Sequence, residues 1–330
     1  AGVIIFLLGL FRFGGVIKFV PYPVTAGFTA GIGVTILASQ IKDFFGLTIL
    51  NAEGRPMTIP ADFIGKLQLF ATHWETVSWH ALGIGVGSLV LLSLLRKFSP
   101  RVPGTIIAVA LSALVTYLMG WSTTQVAFDG THMRPLVETI GTRFGGIPSN
   151  LPSPHFPGVS LEMIRALLPS AMAIAFLGAI ESLLSAVVAD GMTGYRHKSD
   201  QELMAQGVSN IASALFFGLP ATGAIARTAA NVRSGAKTPI AGILHAIFIL
   251  LFMLALAPLA KQVPLSSLAA ILVMVAWKVS EPNHFRALLR GPGPDVLVLL
   301  ATFGLTVLFD LTIAVGTGII VTRSASDNNL

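Results

Sequence analysis

Cysteine is absent from the 330 residues, which excludes disulfides, thiolate metal sites and a cysteine nucleophile within this chain. Charge is nearly as scarce. Asp, Glu, Lys and Arg together make up 11% of the residues, where about a quarter is usual in soluble domains. So few charges cannot clothe the surface of a water-soluble fold. Neither a Walker loop nor a HExxH occurs, and His73, His80, His132, His155, His197, His245 and His284 show no metal-ligand spacing. No cofactor, no metal and no enzyme is implied, because no nucleophile and base stand out as a pair. Gly83, Gly85 and Gly87 resemble part of a dinucleotide fingerprint, but they lie in an apolar run with no strand before them. The net charge of +6 does not point to nucleic acid either. Its 21 Lys and Arg are scattered between apolar runs, whereas a phosphate backbone needs them gathered on one face.

What fills the chain is hydrocarbon. Hydrophobic residues account for 54% before the 33 Gly are counted, and the apolar runs have membrane length, since a helix needs about 20 apolar residues to cross a bilayer. Hydrophobic segments are expected at about 1 to 17, 23 to 45, 78 to 98, 102 to 120, 164 to 190, 203 to 217, 222 to 235, 238 to 260, 264 to 278, 294 to 309 and 311 to 323. This is an all-α integral membrane protein. The lipid bilayer is its first partner. If the segments alternate, most Lys and Arg fall on one side, with Arg96, Lys97, Arg196, Lys198, Arg233, Lys237 and Arg323 among them. The positive-inside rule then places the C-terminus in the cytoplasm, in the inner (plasma) membrane of a multi-pass protein. Ala1 falls outside, like the end of a helix already under way. The connections 46 to 78 and 121 to 163 face outward, the second stiffened by Pro148, Pro152, Pro154 and Pro157.

Within this apolar background a few residues need a reason. Glu181 lies well inside the segment 164 to 190, where an ionisable group costs at least a few kcal/mol unless it faces protein or a water cavity. The plain alternative is a neutral Glu bonded to a neighbouring helix. In the stretch Phe217 to Thr228, Pro220 and Gly223 break a helix and good helix formers resume it. A half-helix beginning within the bilayer offers unpaired amides and a positive dipole end to an anion. Gly223, Ala224, Ile225, Ala226 and Arg227 form that candidate anion-binding site. The alternative is a proline kink with Arg227 snorkelling outward. Gly27 and Gly31 read as close helix packing, His245 as a buried structural contact, and Asp43 and Asp310 as solvated caps. Val20, Pro21 and Ala26 share their spacing with Val263, Pro264 and Ala269, a faint echo of an inverted repeat.

The segments 20 to 47 (VPYPVTAGFTAGIGVTILASQIKDFFGL), 176 to 193 (FLGAIESLLSAVVADGMT) and 206 to 237 (QGVSNIASALFFGLPATGAIARTAANVRSGAK), with 306 to 319 (TVLFDLTIAVGTGI), closely resemble the sulfate permease (SulP) family of anion transporters. Their wording is nearest to the bacterial DauA-type C4-dicarboxylate branch. The resemblance implies a 7+7 inverted-repeat fold in which a core domain slides against a gate domain. This chain would supply the fourth to fourteenth segments of that plan, without the first three, the facing half-helix they hold, or the cytoplasmic STAS domain. It also implies a core of 1 to 19 and 164 to 260, a gate of 20 to 120 and 264 to 323, and a short strand and half-helix at the substrate site. Ala224, Ala226 and Arg227 match positions flanking that site, with alanines where some relatives have serine. Glu181 matches the acid linked to proton coupling. Expected partners are therefore a small anion (sulfate or a C4-dicarboxylate), protons and a second copy in a homodimer. The expected activity is proton-coupled secondary transport by elevator-like alternating access, with a passive anion channel or an inactive fragment as alternatives.

Overall fold

In a computed structural model, residues 1–15, 22–51, 57–99, 102–127, 133–148, 150–156 and 158–308 are described. The chain is mostly helical, and its contacts divide it into two units. One comprises Ala1–Tyr22 and Asn150–Ile249, the other Pro23–Ser149 and Leu250–Leu330.

The first unit holds α1 (Gly2–Leu10), α7 (Leu161–Thr193), α8 (Ser199–Leu215), α9 (Ile225–Arg233) and the start of α10 (Ile240–Ala260). Its core is Ile5 of α1 against Ala175, Ala179 and Leu183 of α7 and Leu203 of α8. Small residues bring α1 and α8 nearly into backbone contact. A Cβ on Gly207 would lie 2.5 Å from the Phe6 nitrogen, and one on Gly9 would lie 2.6 Å from the Asp200 carbonyl. Such glycines let helices associate where lipid offers no hydrophobic drive toward packing. The first segment is shorter than its hydropathy suggests, because α1 stops at Leu10 and Arg12 turns into the left-handed region at φ 63°. At the other end of the chain, the segment 311 to 323 and Asp310 lie outside the described residues, as do Val20 and Pro21 of the repeat echo.

The second unit contains α2 (Tyr22–Phe45), α3 (Phe63–Thr72), α4 (Trp79–Phe98), α5 (Gly104–Leu118), a hairpin of β1 (Gln125–Ala127) and β2 (Met133–Pro135), α6 (Ile140–Phe144), α11 (Leu265–Val279), α12 (Pro282–Leu288) and α13 (Gly293–Leu308). Gly27 and Gly31 pack against Leu299, Thr302 and Thr306 of α13. Of the glycine triplet in α4, Gly85 lies against the Phe44 ring, while a Cβ on Gly83 or Gly87 would meet nothing within 4 Å. Ser88 of α4 donates to Ser267 of α11 at 3.1 Å.

The connections hold more structure than hydropathy shows. Asp62 caps α3 by accepting from the Gly65 amide. Arg134 of β2 donates to the Gly46 carbonyl at 3.1 Å and to Thr48 Oγ1 at 2.9 Å, and it also reaches the Thr76 carbonyl. Asp43 is no solvated cap, for it pairs with Arg143 of α6 at 2.7 Å, and Glu138 pairs with the same guanidinium. Burial opposes the charge of Arg143, but the two carboxylates outweigh it and hold its pKa above the ordinary value.

Among the described residues, four stretches are long and apolar enough to cross a membrane: α4, α7, α10 and the run Leu265–Leu288 containing α11 and α12. Along α10, Ile243, Phe248, Ile249, Phe252 and Leu259 are exposed, which in water would be an untenable surface and in lipid is the expected one. His245 shares this exposure and is not a buried contact.

The α1–α8 contact is tested by adding one methyl group. Gly207→Ala forces backbone apart and should destabilise the protein by about 1–3 kcal/mol, seen as a lower Tm in detergent. Gly242→Ala, with nothing within 4 Å of the added carbon, should leave Tm unchanged or raise it slightly.

Candidate anion-binding site

The site is built where α8 ends and α9 begins. After Leu215 the Phe217 amide donates to the Ala214 carbonyl at 3.2 Å, and the Gly218 amide to the Ser213 carbonyl at 2.7 Å. This pair of bonds is a Schellman termination, with Phe217 in the left-handed position at φ 56°. A phenylalanine there carries a steric cost that glycine would avoid. A side chain on Gly218 would collide with Ser213. The helix thus stops at Leu215, five residues before Pro220, through backbone capping, and Pro220 follows in chain that has already left it. The helix resumes at Ile225.

Residues Phe216 to Ala224 are therefore non-helical and sit between helices, where unpaired backbone groups cost several kcal/mol each in the absence of water. Side chains of α8 satisfy three of them, the Leu219 carbonyl and the amide and carbonyl of Ala221. From α8, the carboxamide of buried Asn210 forks onto one residue: its Oδ1 accepts the Ala221 amide at 2.9 Å and its Nδ2 donates to the Ala221 carbonyl at 2.8 Å. Gln206 donates to the same carbonyl, and Ser213 to the Leu219 carbonyl at 2.9 Å. On the α7 side, the Gly178 carbonyl accepts the Thr222 hydroxyl at 2.8 Å. Gly223 then passes so close to α7 that an added Cβ would lie 3.3 Å from the Ser185 Cβ and 3.4 Å from the Ser182 Cα.

Beyond Gly223 the chain enters α9 with Ala224 as its N-cap, in extended conformation at φ −110° and ψ 119°. Alanine has no side-chain oxygen, and no side chain caps this helix. The amides of Ile225, Ala226 and Arg227 thus begin a helix at its positive dipole end. Arg227 is exposed in the first turn, and no carboxylate pairs with it among the described residues. Thr228, one residue on, shares a 2.6 Å hydrogen bond with Ser185 of α7.

Glu181 is half-buried on α7 and forms no hydrogen bond or ion pair among the described residues. Its neighbour Ser182 is buried and donates to Glu202 of α8 at 2.6 Å, linking those helices. The fold therefore brings the stretch Gly223 to Arg227 against the turns of α7 that follow Glu181. Sequence reasoning missed Asn210, Gln206, Thr222, Ser182, Ser185 and Thr228. A signal for the α8 group existed, since Gln206, Asn210 and Ser213 recur at i, i+4 and i+7 and so share one helix face.

An interrupted, lipid-compatible helix whose uncapped amino end faces a neighbouring helix is an architecture of membrane carriers for small solutes. The chain belongs to the sulfate permease family, whose model matches residues 1–302. It is 43% identical over 97% of its length to YvdB of Bacillus subtilis (strain 168), whose name assigns it provisionally to sulfate transport, and covers 57% of that protein. Similarity to the bicarbonate transporter BicA of Picosynechococcus reaches 28% identity, over 97% of this chain and 53% of the relative. The chain thus spans about half the length of these curated relatives. Among solved structures, the transmembrane domain of a cyanobacterial BicA matches with a TM-score of 0.75 at 26% identity, covering 96% of this chain and 74% of that one. The fold is shared with the murine Solute Carrier 26 family member A9 anion transporter in its inward-facing state, at a TM-score of 0.80 and 21% identity, over 99% of this chain and 51% of the other.

The Ser185–Thr228 bond holds α9 to α7. Ser185→Ala and Thr228→Val should each lower stability by about 1 kcal/mol, and the double variant should lose little more than either single one. Additive losses in a thermal double-mutant cycle would show that the bond contributes nothing.

Proposed function

We propose that the chain forms part of a secondary transporter of small anions in the plasma membrane, with the anion held at Gly223, Ala224, Ile225, Ala226 and Arg227. The observation that carries this reading is the uncapped start of α9, whose amides, dipole and Arg227 all favour negative charge. Family membership and relatives named for sulfate and bicarbonate support the same class of solute. A C4-dicarboxylate fits the identical donors, because one guanidinium and a row of amides select for charge more than for shape.

Glu181 is assigned to proton coupling in this proposal. A proton taken up there offsets negative charge moving with the anion, and the carboxylate has no competing partner among the described residues. The division of contacts into two units supports alternating access of the elevator kind, with a core of 1 to 19 and 164 to 260 working against a gate of 20 to 120 and 264 to 323 in a homodimer.

Liposomes containing the protein should accumulate labelled sulfate, bicarbonate or succinate against its gradient when protons flow inward. Dissipative flux alone would identify a channel. Glu181→Gln should abolish the proton dependence while anion exchange persists, and unaltered coupling would remove Glu181 from the mechanism. The absence of cysteine in this chain permits a second, substrate-independent test. In Ala224→Cys, with each rate divided by that reagent's rate on a free thiol, a sulfonate-bearing thiosulfonate should react about tenfold faster than its trimethylammonium analogue. Arg227→Ala should reduce that ratio severalfold; a ratio near one before any further change would contradict an anion site.

A further inference from the structure

The reading above places the anion on α9, yet α9 has only nine residues and follows nine residues of non-helical chain. Something must fix where its first turn lies. Three side chains of α8 reach that chain, and they differ in what they supply. Ser213 and Gln206 each give a single donor, to the carbonyls of Leu219 and Ala221. Asn210 alone provides an acceptor and a donor at once, and it spends both on Ala221, at 2.9 and 2.8 Å. Its Nδ2 also donates to the Gln206 carbonyl at 2.9 Å, so the carboxamide is fixed against its own helix. Two bonds from one rigid plane to the amide and carbonyl of one residue define that residue's orientation as a strand partner would. Ala221 is three residues before the N-cap, and the Thr222 hydroxyl, bonded to Gly178, passes the constraint on toward Gly223.

We infer that Asn210 is the positioning residue of the anion site: its carboxamide reads the Ala221 backbone and thereby sets the place and direction of the α9 amino end. It touches no anion. This inference rests on the anion-site reading, and its chemistry makes a specific demand. The group at position 210 must be neutral, with one donor and one acceptor side by side. Serine cannot supply both in that geometry. An aspartate has two acceptors, one of which opposes the Ala221 carbonyl, but a protonated aspartic acid restores one donor and one acceptor.

The test uses Ala224→Cys and the ratio of its labelling rates by the sulfonate and trimethylammonium thiosulfonates, each referred to a free thiol and compared with the Asn210 parent at the same pH. Asn210→Ser should bring the ratio from about ten to near one, as the amides and the dipole lose their aim. Asn210→Asp should do the same at about pH 8 and recover most of the parental ratio at about pH 5, as the carboxyl takes up its proton. That acid rescue is a readout that loss of packing does not produce. A ratio that stays parental in Asn210→Ser overturns the inference, and so does an Asn210→Asp protein with the same lowered ratio at both pH values. Arg227→Ala serves as the independent control. If it lowers the ratio while both Asn210 variants keep it, the site stands and the clamp falls; if the parent shows no charge preference, the site reading itself has failed. Should either Asn210 variant not yield monodisperse protein, the remaining one decides by the same criteria.

Discussion

The constraint on which the first unit depends is the satisfaction of backbone polarity where a helix is broken away from water. An unbroken helix satisfies itself. Once α8 stops at Leu215, each amide and carbonyl up to Ile225 needs a partner from outside its own segment, because a stranded one costs several kcal/mol in a medium without water. The placement of Gln206, Asn210 and Ser213 on one face of α8 follows from that requirement, while the Thr222 hydroxyl ties the stretch to the Gly178 carbonyl of α7. The gain is an end of helix inside the protein with its donors pointing outward, which no continuous helix offers.

Packing serves the same end by different means. The stretch 216 to 224 must lie between α7 and α8 without forcing them apart, and glycine makes this approach possible where a Cβ would meet Ser185 or Ser213. The close crossing of α1 and α8 at Gly9 and Gly207 anchors α8 from the far side. Because lipid tails are as apolar as the helices, such contacts replace the hydrophobic drive that assembles a soluble core. The core itself is small: Ile5, Ala175, Ala179, Leu183 and Leu203.

Long apolar runs made most helices legible in the sequence, since α2, α4, α5, α7, α10, α11 and α13 begin and end within a few residues of the expected segments. The break before α9 was legible as well, although its cause was not. Pro220 and Gly223 are visible breakers, whereas the termination that ends α8 lies at Phe217 and Gly218, and a phenylalanine at positive φ gives no sequence signal. Short elements such as α3, α6 and the β1–β2 hairpin went unseen because they are held by specific bonds, Arg134 and Arg143 foremost, and not by hydropathy. The candidate site was read from its charges and breakers, Glu181 and Arg227 with Gly223. Its supporting hydroxyls and amides were missed because Ser, Thr and Asn in an apolar helix look like ordinary packing residues until their partners are known.

The alanine at the N-cap ties these features together. Position 224 is where a helix ordinarily carries Ser, Thr, Asp or Asn, and giving up that cap costs roughly 1 kcal/mol. A side-chain oxygen there would accept from the amide two or three residues on, which is the donor an anion would use. With alanine no side chain caps the amide among the described residues, so under the proposed function a bound anion would take the place of the missing cap and its binding energy would stabilise α9 directly. On that proposal the helix would be least stable when empty and most stable when occupied. That dependence explains why so many external bonds converge on the residues just before it: with no cap of its own and only nine residues to propagate from, α9 is marginal as an isolated helix. The fork of Asn210, the Thr222 hydroxyl and the Ser185–Thr228 bond hold it in place, so that an anion bound as proposed would complete a site already aimed.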